Sequence, residues 1–480
     1  MMATNGGIET FLREYSKEVE EGNAAIFAGA GLSMPAGFVD WRKLLKTVAE
    51  DIGLDIEKEY NLVAVAQYYC NERNRADISR ILLEEFTQDA DVTPSHRILA
   101  RLPIFTYWTT NYDRLIERAL EEAGKRPDVK YNIEQLALTL PRRDCLVYKM
   151  HGDISNPNQT ILIKDDYEKY FLTGQAFITA LTGDLISKTF LFLGFSFSDP
   201  NIDYILSRIR ASYVKNMRTH YCFIKRITES DFPEPDTLAY KRRQQDLFIG
   251  DLKRFNVRAV LLDSYAQVQD VLARLERKYK TKSVFMSGAA HEWGAWPTER
   301  ARALVRGLSK TLVDKDYRLV SGFGLGVGSA VISGALEQVY SKKRAKIEDQ
   351  LILRPFPQEP VGDVPWANLL KRYREDLTDY AGAAVFLFGN KLEDGKVVLS
   401  EGMIQEFEIA RQKGLALIPV GGTGFIAEEL WRKVMADLPA YYPKDPEQYR
   451  KALEVLGDAK AEPPAMIEAV VQILELWARS

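Results

Sequence analysis

The sequence contains little cysteine and little histidine, and neither is arranged as a metal site requires. Three of its 480 residues are cysteines (Cys70, Cys145 and Cys222), and four are histidines. Because the cysteines are few, far apart and form no CxxC pair, the sequence argues against a disulfide framework or a cysteine-rich zinc site. We therefore expect no bound metal.

Charge of one sign and long hydrophobic runs are also missing. The chain has 64 basic and 67 acidic residues, for a net charge of −3, whereas a nucleic-acid binder that relies on bulk charge needs a basic stripe or tail. The longest apolar run, about residues 190–197, is far shorter than the roughly 18 residues of a membrane span. The N-terminus carries acidic residues where a signal peptide would be basic and then apolar. We expect a cytoplasmic protein without nucleic-acid or membrane partners.

What the sequence does contain is two series of apolar segments separated mostly by helical patterns, which is typical of α/β doubly wound folds. The first series lies at residues 24–28, 104–110, 146–150, 189–195, 220–225 and 257–263. The second starts at residues 283, 317, 350, 383 and 416. We predict two doubly wound parallel-sheet domains, residues 1–282 and 283–480, with a helical insertion at about residues 42–100 of the first.

The first predicted strand runs directly into a glycine turn, Gly29-Ala30-Gly31-Leu32-Ser33. Backbone amides at such a strand–turn–helix junction can hold a pyrophosphate, and glycine allows close backbone approach. The third glycine of a GxGxxG motif is missing, so a simple tight turn of small residues fits this segment equally well.

Polar residues follow three further predicted strands. They are Thr109-Thr110-Asn111-Tyr112-Asp113, then His151-Gly152-Asp153, then Gly194-Phe195-Ser196-Phe197-Ser198-Asp199. Because ligands of open α/β sheets bind at the carboxyl ends of the strands, we expect these groups to converge. For Asp113 the pattern leaves two roles open, a ligand contact or a cap on the helix that follows.

In order, GAGLS, TTNYD, HGD and GFS are similar to the four signature segments of the sirtuin fold. The resemblance implies cleavage of the bond between nicotinamide and ribose, with His151 as the base and Asn111 orienting a ribose hydroxyl or water. It makes NAD⁺ the substrate, and no other cofactor is expected. The NAD-binding set it implies is Ala28, Gly29, Ala30, Gly31, Ser33, Asn111, Asp113, Gly194 and Ser196.

The departures from sirtuin deacylases change the expected acceptor. The two CxxC pairs of their zinc module are missing, Thr110 replaces a glutamine, and nothing indicates an acyl-peptide cleft. Without a peptide acceptor, water is the obvious one. We therefore expect NAD⁺ hydrolysis to nicotinamide and ADP-ribose rather than deacylation.

The second domain carries its own glycine loop, with Gly322, Gly324, Gly326 and Gly328 at alternating positions. Such a loop can wrap phosphate oxygens with bare amides, although a flexible turn would have the same composition. Together with the opening strand and the PVGGTG turn near residue 420, it looks like the SLOG nucleotide-binding superfamily. The turn departs from the PGGxGT segment of the superfamily's enzymes, which favours a sensor over a hydrolase.

A sirtuin-like domain followed by a SLOG domain with these motifs resembles the ThsA family, the effectors of the bacterial Thoeris anti-phage system. The resemblance implies a homotetrameric NAD hydrolase that depletes NAD once a cyclic ADP-ribose isomer, made by a TIR-domain partner enzyme, binds the SLOG domain. It implies that Arg374, Lys391 and Glu406 bind this activator. Three residues of the glycine loop, Gly322, Gly324 and Gly326, complete the expected binding set.

Three alternatives stay open from the sequence. A sirtuin-type protein deacylase would turn over acyl-peptides with NAD. A non-catalytic nucleotide sensor that acts by assembly would not need His151. The SLOG half could itself hydrolyse nucleotides.

Overall fold

The computed structural model describes residues 2–479 except 88–89, 196, 198–201, 204, 208–209, 211–217, 342–346, 358 and 360–364. The chain divides into two units, Met1–Glu276 and Arg277–Ser480. The division lies within a helix, Gln267–Lys280, whereas we placed the domain boundary near residue 282, just after that helix.

The first unit is built on a seven-stranded parallel sheet. Its strands are β1 Ala24–Ala28, β2 Thr106–Thr109, β3 Pro127–Lys130, β4 Cys145–Lys149, β5 Thr189–Leu193, β6 His220–Lys225 and β7 Val257–Leu262, in the spatial order β3-β4-β2-β1-β5-β6-β7. The four strands that precede the sirtuin-like segments, β4, β2, β1 and β5, are consecutive neighbours. Their carboxyl ends therefore bring the four loops to one edge of the sheet.

The helices of the first unit cover the sheet and form the insertion. They are α1 Met2–Glu20, α2 Ala30–Ser33, α3 Trp41–Leu44, α4 Lys46–Asp51, α5 Leu62–Glu72, α6 Arg75–Phe86, α7 Pro94–Arg101, α8 Leu115–Glu122, α9 Ile133–Ala137, α10 Lys164–Thr173, α11 Gln175–Ser187, α12 Pro235–Leu252 and α13 Gln267–Lys280. Helix α1 buries Phe11 and Tyr15, and the Tyr15 hydroxyl donates to the Ala25 carbonyl over 2.9 Å. The predicted helical insertion corresponds to α3–α7, and its apolar core includes Leu45, Val65 and Leu82.

The second unit contains a five-stranded parallel sheet and a separate antiparallel hairpin. The sheet strands are β8 Ser283–Ala289, β9 Arg318–Ser321, β10 Leu351–Leu353, β11 Ala383–Phe388 and β14 Ala416–Pro419, in the order β10-β9-β8-β11-β14. The hairpin pairs β12 Asn390–Glu393 with β13 Lys396–Leu399. Every residue of β11, which lies between β8 and β14, is buried.

Helices lie on this second sheet as in a doubly wound fold, which confirms the predicted fold class for both units. They are α14 Thr298–Asp314, α15 Val327–Ser341, α16 Ile347–Gln350, α17 Trp366–Asp379, α18 Glu401–Gln412, α19 Phe425–Ala436, α20 Leu438–Tyr441, α21 Glu447–Gly457 and α22 Pro463–Arg479. In the described part of the chain, no helix has both the length and the apolar character needed to cross a membrane.

Candidate active site and candidate nucleotide cavity

The glycine turn after β1 is locked to the end of β5 by backbone contacts. The amide of Gly29 donates to the Leu193 carbonyl (2.9 Å), and that of Gly31 donates to the Gly194 carbonyl (3.0 Å). A Cβ at Gly31 would lie 2.8 Å from the Gly194 Cα, and Gly194 itself has φ +62°. Close packing of two loops therefore requires glycine here. Both amides are used within the protein, so a pyrophosphate would not meet them in this conformation.

A small cavity of about 30 Å³ opens beside this turn, at the carboxyl ends of β1 and β2. Its polar lining includes Ser33, Asn111 and Asp113, and its aromatic lining includes Phe38, Trp41 and Phe86. The rings of Phe38 and Phe86 are stacked with their centroids 5.4 Å apart. The cavity thus combines a flat apolar wall with a few polar groups, which is the usual character of a small-molecule site.

Ser33, Asn111 and Asp113 bond to one another in this cavity. The Ser33 hydroxyl donates to Asp113 Oδ2 (2.7 Å), and Asn111 Nδ2 donates to Ser33 Oγ and to the Gly29 carbonyl, both at 3.1 Å. Asn111 and Asp113 are 8% and 4% exposed. Because both amide hydrogens of Asn111 are donated inward, its Oδ1 is the atom that can accept from a ribose hydroxyl or a water.

Asp113 lines the cavity and also bonds to the start of the helix that follows, so its role as a helix cap is observed and its ligand contact stays a prediction. Its Oδ2 accepts from Ser33 in the cavity, while its Oδ1 accepts from the backbone amide of Leu115 (2.9 Å) at the start of α8. The carboxylate therefore ties the cavity to the first turn of a helix.

His151 follows β4 but does not line the cavity beside Asn111. Its side chain is 1% exposed. Its ring meets the Tyr167 ring edge-on, with centroids 5.5 Å apart. The structure thus brings Ser33, Asn111 and Asp113 together and holds His151 separately. Of the remaining predicted contacts, Ala28 and Gly194 lie at the ends of β1 and β5, Ala30 lines the cavity, and Ser196 lies outside the described residues.

Sequence reasoning missed a fully buried lysine, Lys149, at the end of β4. Its side chain is 0% exposed and forms an ion pair with Glu117 over 3.0 Å. The sequence did carry a signal for this site, because a lysine inside the apolar segment LVYKM is rarely buried unless charged or polar groups surround it.

The second unit holds a larger cavity of about 150 Å³ at the carboxyl ends of β8 and β9. Among the predicted activator contacts, Gly322, Gly324, Arg374 and Glu406 line it. A Cβ at Gly324 would lie 1.9 Å from the carbonyl oxygen of Gly288. The glycine loop therefore packs directly on the end of β8, and this close approach forms one wall of the cavity.

Arg374 and Glu406 form an incomplete ion pair inside this cavity. Arg374 Nε lies 3.9 Å from Glu406 Oε1 and has no hydrogen-bond partner among the described residues. Ser287 Oγ donates to Glu406 Oε2 over 2.5 Å. Burial raises the pKa of Glu406 to about 7, against the opposing effects of Ser287 and Arg374. The cavity thus holds a cation with a free donor and a carboxyl group that is partly protonated near neutral pH.

Two predicted activator contacts lie elsewhere. Lys391 is on the hairpin strand β12, where its Nζ pairs with Glu393 over 3.0 Å and its side chain is 45% exposed. Gly326 packs on Ala290, whose carbonyl oxygen would lie 2.3 Å from an added Cβ. Neither residue lines the cavity.

The turn that resembles the superfamily's enzymatic segment has a structural role. Trp296 Nε1 donates to the Gly422 carbonyl over 2.8 Å, and the Thr423 hydroxyl accepts from the Phe388 amide over 2.9 Å. The turn is buried under α19 and does not line the cavity. Across the described ranges, no group of three or more His, Cys, Asp or Glu side chains could hold a metal ion.

Comparison with known proteins matches both units. A SIR2-like domain family matches residues 106–245, and the Sir2- and TIR-associating SLOG family matches residues 267–476. The chain is 49% identical to the protein named NAD(+) hydrolase ThsA of Bacillus cereus (strain MSX-D12), over 99% of each chain. It is 44% identical to the protein of the same name from Acinetobacter baumannii (strain 532279), over 96% of this chain and 97% of that one. Defense-associated sirtuin 2 of Bacillus subtilis is 26% identical over 59% of this chain and 28% of its own length.

Proposed function

The chain belongs to the ThsA family of NAD(+) hydrolases, and from this premise we propose that it cleaves NAD⁺ to nicotinamide and ADP-ribose at the cavity beside Asn111. The observation that carries the proposal is the bonded group of Ser33, Asn111 and Asp113 against an aromatic wall. It stands where the carboxyl ends of β1 and β2 meet, which is the ligand position of open α/β sheets.

The chemistry follows from what these side chains can do. Nicotinamide leaves as a neutral base, so the site needs to orient the ribose and stabilise an oxocarbenium-like transition state rather than supply a strong acid. The aromatic wall suits a planar cationic ring. Asn111 Oδ1 would accept a hydrogen bond from a ribose hydroxyl or from the attacking water, and His151 would take the proton of that hydroxyl or water. Asp113 would bind the amide group of nicotinamide.

Two observations favour a resting, inactive conformation of the active site in the first unit. The glycine turn beside the cavity has the amides of Gly29 and Gly31 bonded within the protein, so they do not face a pyrophosphate. The proposed base, His151, is 1% exposed and turned toward Tyr167. Both the glycine turn and His151 would have to rearrange before NAD⁺ could react.

We propose that the cavity in the second unit controls this rearrangement by binding a cyclic ADP-ribose isomer. Arg374 would meet phosphate and Glu406 a ribose hydroxyl, with Lys391 approaching from the hairpin. The match to a Sir2- and TIR-associating SLOG family supports a TIR-domain partner enzyme as its source. A ligand that binds one state better by a few kcal/mol can invert the two populations. In a homotetramer acting in anti-phage defence, the result would be NAD depletion.

The test is NAD⁺ loss by the purified full chain, with and without cyclic ADP-ribose isomers prepared from NAD⁺ by a TIR-domain enzyme. We expect loss only with the isomers, none for His151→Ala, and a weakened response for Arg374→Met. Arg372→Met is the matched control, since Arg372 is exposed on the same helix, and it should respond like the unmodified chain. NAD⁺ loss without the isomers would contradict the proposed control of the active site by the cavity in the second unit.

Three further assays separate the alternatives. Turnover of an acyl-peptide would support a deacylase. A biological effect that survives in His151→Ala would support a sensor that acts by assembly, and consumption of nucleoside monophosphates would indicate hydrolysis in the second unit.

A further inference from the structure

Lys149 carries a positive charge in the interior of the first unit, directly beneath the proposed active site. Its side chain is 0% exposed. Its Nζ donates to the carbonyls of Tyr112 (3.1 Å) and Asp113 and forms ion pairs with Glu117 (3.0 Å) and Asp153. One ammonium group therefore contacts four acceptors, and all of them belong to segments around the site.

These contacts keep the lysine charged. Burial alone would lower the pKa of Lys149, but the carboxylates of Glu117 and Asp153 outweigh it and raise that pKa. In turn, Lys149 holds the pKa of Asp153 below its ordinary value, against the effect of burial. A buried ion pair is often no more stabilising than apolar residues of the same volume, so stability is a weak reason for placing a charge here.

The geometry supplies a better reason. Tyr112 lies one residue after Asn111, while Lys149 and Asp153 lie two residues to either side of His151. The Tyr112 carbonyl also accepts from the Ile154 amide over 3.2 Å. The ammonium thus joins the segment that carries Asn111 to the segment that carries His151.

We infer that Lys149 is a positioning residue for NAD⁺ hydrolysis: it fixes the segments of Asn111 and His151 relative to each other without touching the substrate. This inference rests on the proposed function. A displacement of about 1 Å between reacting groups can cost roughly 100-fold in rate. Removing the ammonium should therefore lower kcat much more than it changes KM.

Lys149→Met tests this inference, because methionine is an unbranched side chain only one atom shorter than lysine and carries no charge. The matched control is Lys130→Met. Lys130 is also buried, on the neighbouring strand β3, but its Nζ pairs with Asp128 over 2.7 Å and donates to the Leu138 carbonyl, neither of which belongs to the Asn111 or His151 segments. With the TIR-derived isomers present, we expect Lys149→Met to lose roughly 10- to 100-fold in kcat per folded molecule, with KM changed less than about threefold. Lys130→Met should lose stability and keep its kcat.

Equal kcat values for the two variants would overturn the inference while leaving the proposed function intact. Should Lys149→Met fail to fold, Asp153→Asn takes its place, since asparagine can still accept from the Ser155 amide (2.8 Å) but loses the ion pair. A wild-type kcat for Asp153→Asn would then refute the inference. If the unmodified chain consumed no NAD⁺, the proposed function would fail instead. Crystal structures of Lys149→Met and Lys130→Met would still test the role of the lysine, because only Lys149→Met should displace the Asn111 and His151 segments relative to each other.

Discussion

The substitution Glu406→Gln should stabilise the protein above neutral pH. Burial raises the pKa of the Glu406 carboxyl to about 7, whereas an unfolded glutamate titrates near 4.3. The folded state therefore binds this proton more tightly than the unfolded state does. The resulting stabilisation is fully present below about pH 4 and is lost as the pH rises to about 7.

The magnitude follows from the distance between the two pKa values. At about 1.4 kcal/mol per pH unit, the wild-type chain should lose roughly 3 kcal/mol relative to a neutral side chain by pH 7. About 1 kcal/mol of this loss is already present at pH 5. Glutamine cannot ionise, but its amide oxygen can still accept from Ser287. The advantage of Glu406→Gln should therefore grow by roughly 2 kcal/mol between pH 5 and 7.5 and then level off.

Urea unfolding of the second unit within the full chain, followed at pH 5, 6, 7 and 8, measures this difference. Glu408→Gln is the control, because Glu408 lies on the same helix but is 36% exposed and paired with Lys433. Its effect should stay within about 0.5 kcal/mol. If Glu406→Gln showed a constant difference from the wild type at all four pH values, the carboxyl would not titrate as its burial requires, and our reasoning would be refuted.

Two other substitutions test the packing of the two cavities. Gly324→Ala would place a Cβ 1.9 Å from the Gly288 carbonyl oxygen, so we expect a loss of about 2 kcal/mol or more in unfolding free energy and no binding of the TIR-derived isomers by calorimetry. Gly183→Ala, in open space on α11, should be neutral or stabilising by up to about 1 kcal/mol, and an equal loss in both would contradict the steric explanation. The two carboxylate oxygens of Asp113 accept from the Ser33 hydroxyl and the Leu115 amide, and Asp113→Asn keeps only one of these oxygens. We therefore expect steady-state kinetics to show kcat/KM for NAD⁺ reduced roughly tenfold. An unchanged kcat/KM would remove Asp113 from the site.

The strands that give the clearest signal in the sequence are those buried on both faces. Every residue of Ala24–Ala28, Thr189–Leu193 and Ala383–Phe388 is buried, so each leaves a continuous apolar run. The edge strand Pro127–Lys130 was missed because it is short, begins with proline and carries two charged residues, Asp128 and Lys130. The hairpin was missed because its strands are largely exposed. Its turn residues Asp394 and Gly395, with φ of +49° and +74°, are the pair that a two-residue hairpin favours.

The candidate site was predictable to the extent that it depends on chain topology. Asn111 and Asp113 come together with Ser33 because neighbouring parallel strands end at one edge of the sheet. The burial of His151 against Tyr167 and the position of Lys391 on the hairpin depend on side-chain packing and on the conformational state. Hydrophobic periodicity carries no information about either.

The helix Gln267–Lys280 has a consequence for how the two units can be separated. The first unit ends at Glu276. Three residues later, the ring of Tyr279 stacks against the guanidinium of Arg318, which is also in the second unit. Proteases cut extended, exposed chain and need several residues to unfold locally. Here the chain crosses between units as hydrogen-bonded helix, so limited digestion should not release two intact halves at this point. Fragments made by expression should keep the helix whole, ending after residue 280 for the first unit or beginning near residue 267 for the second.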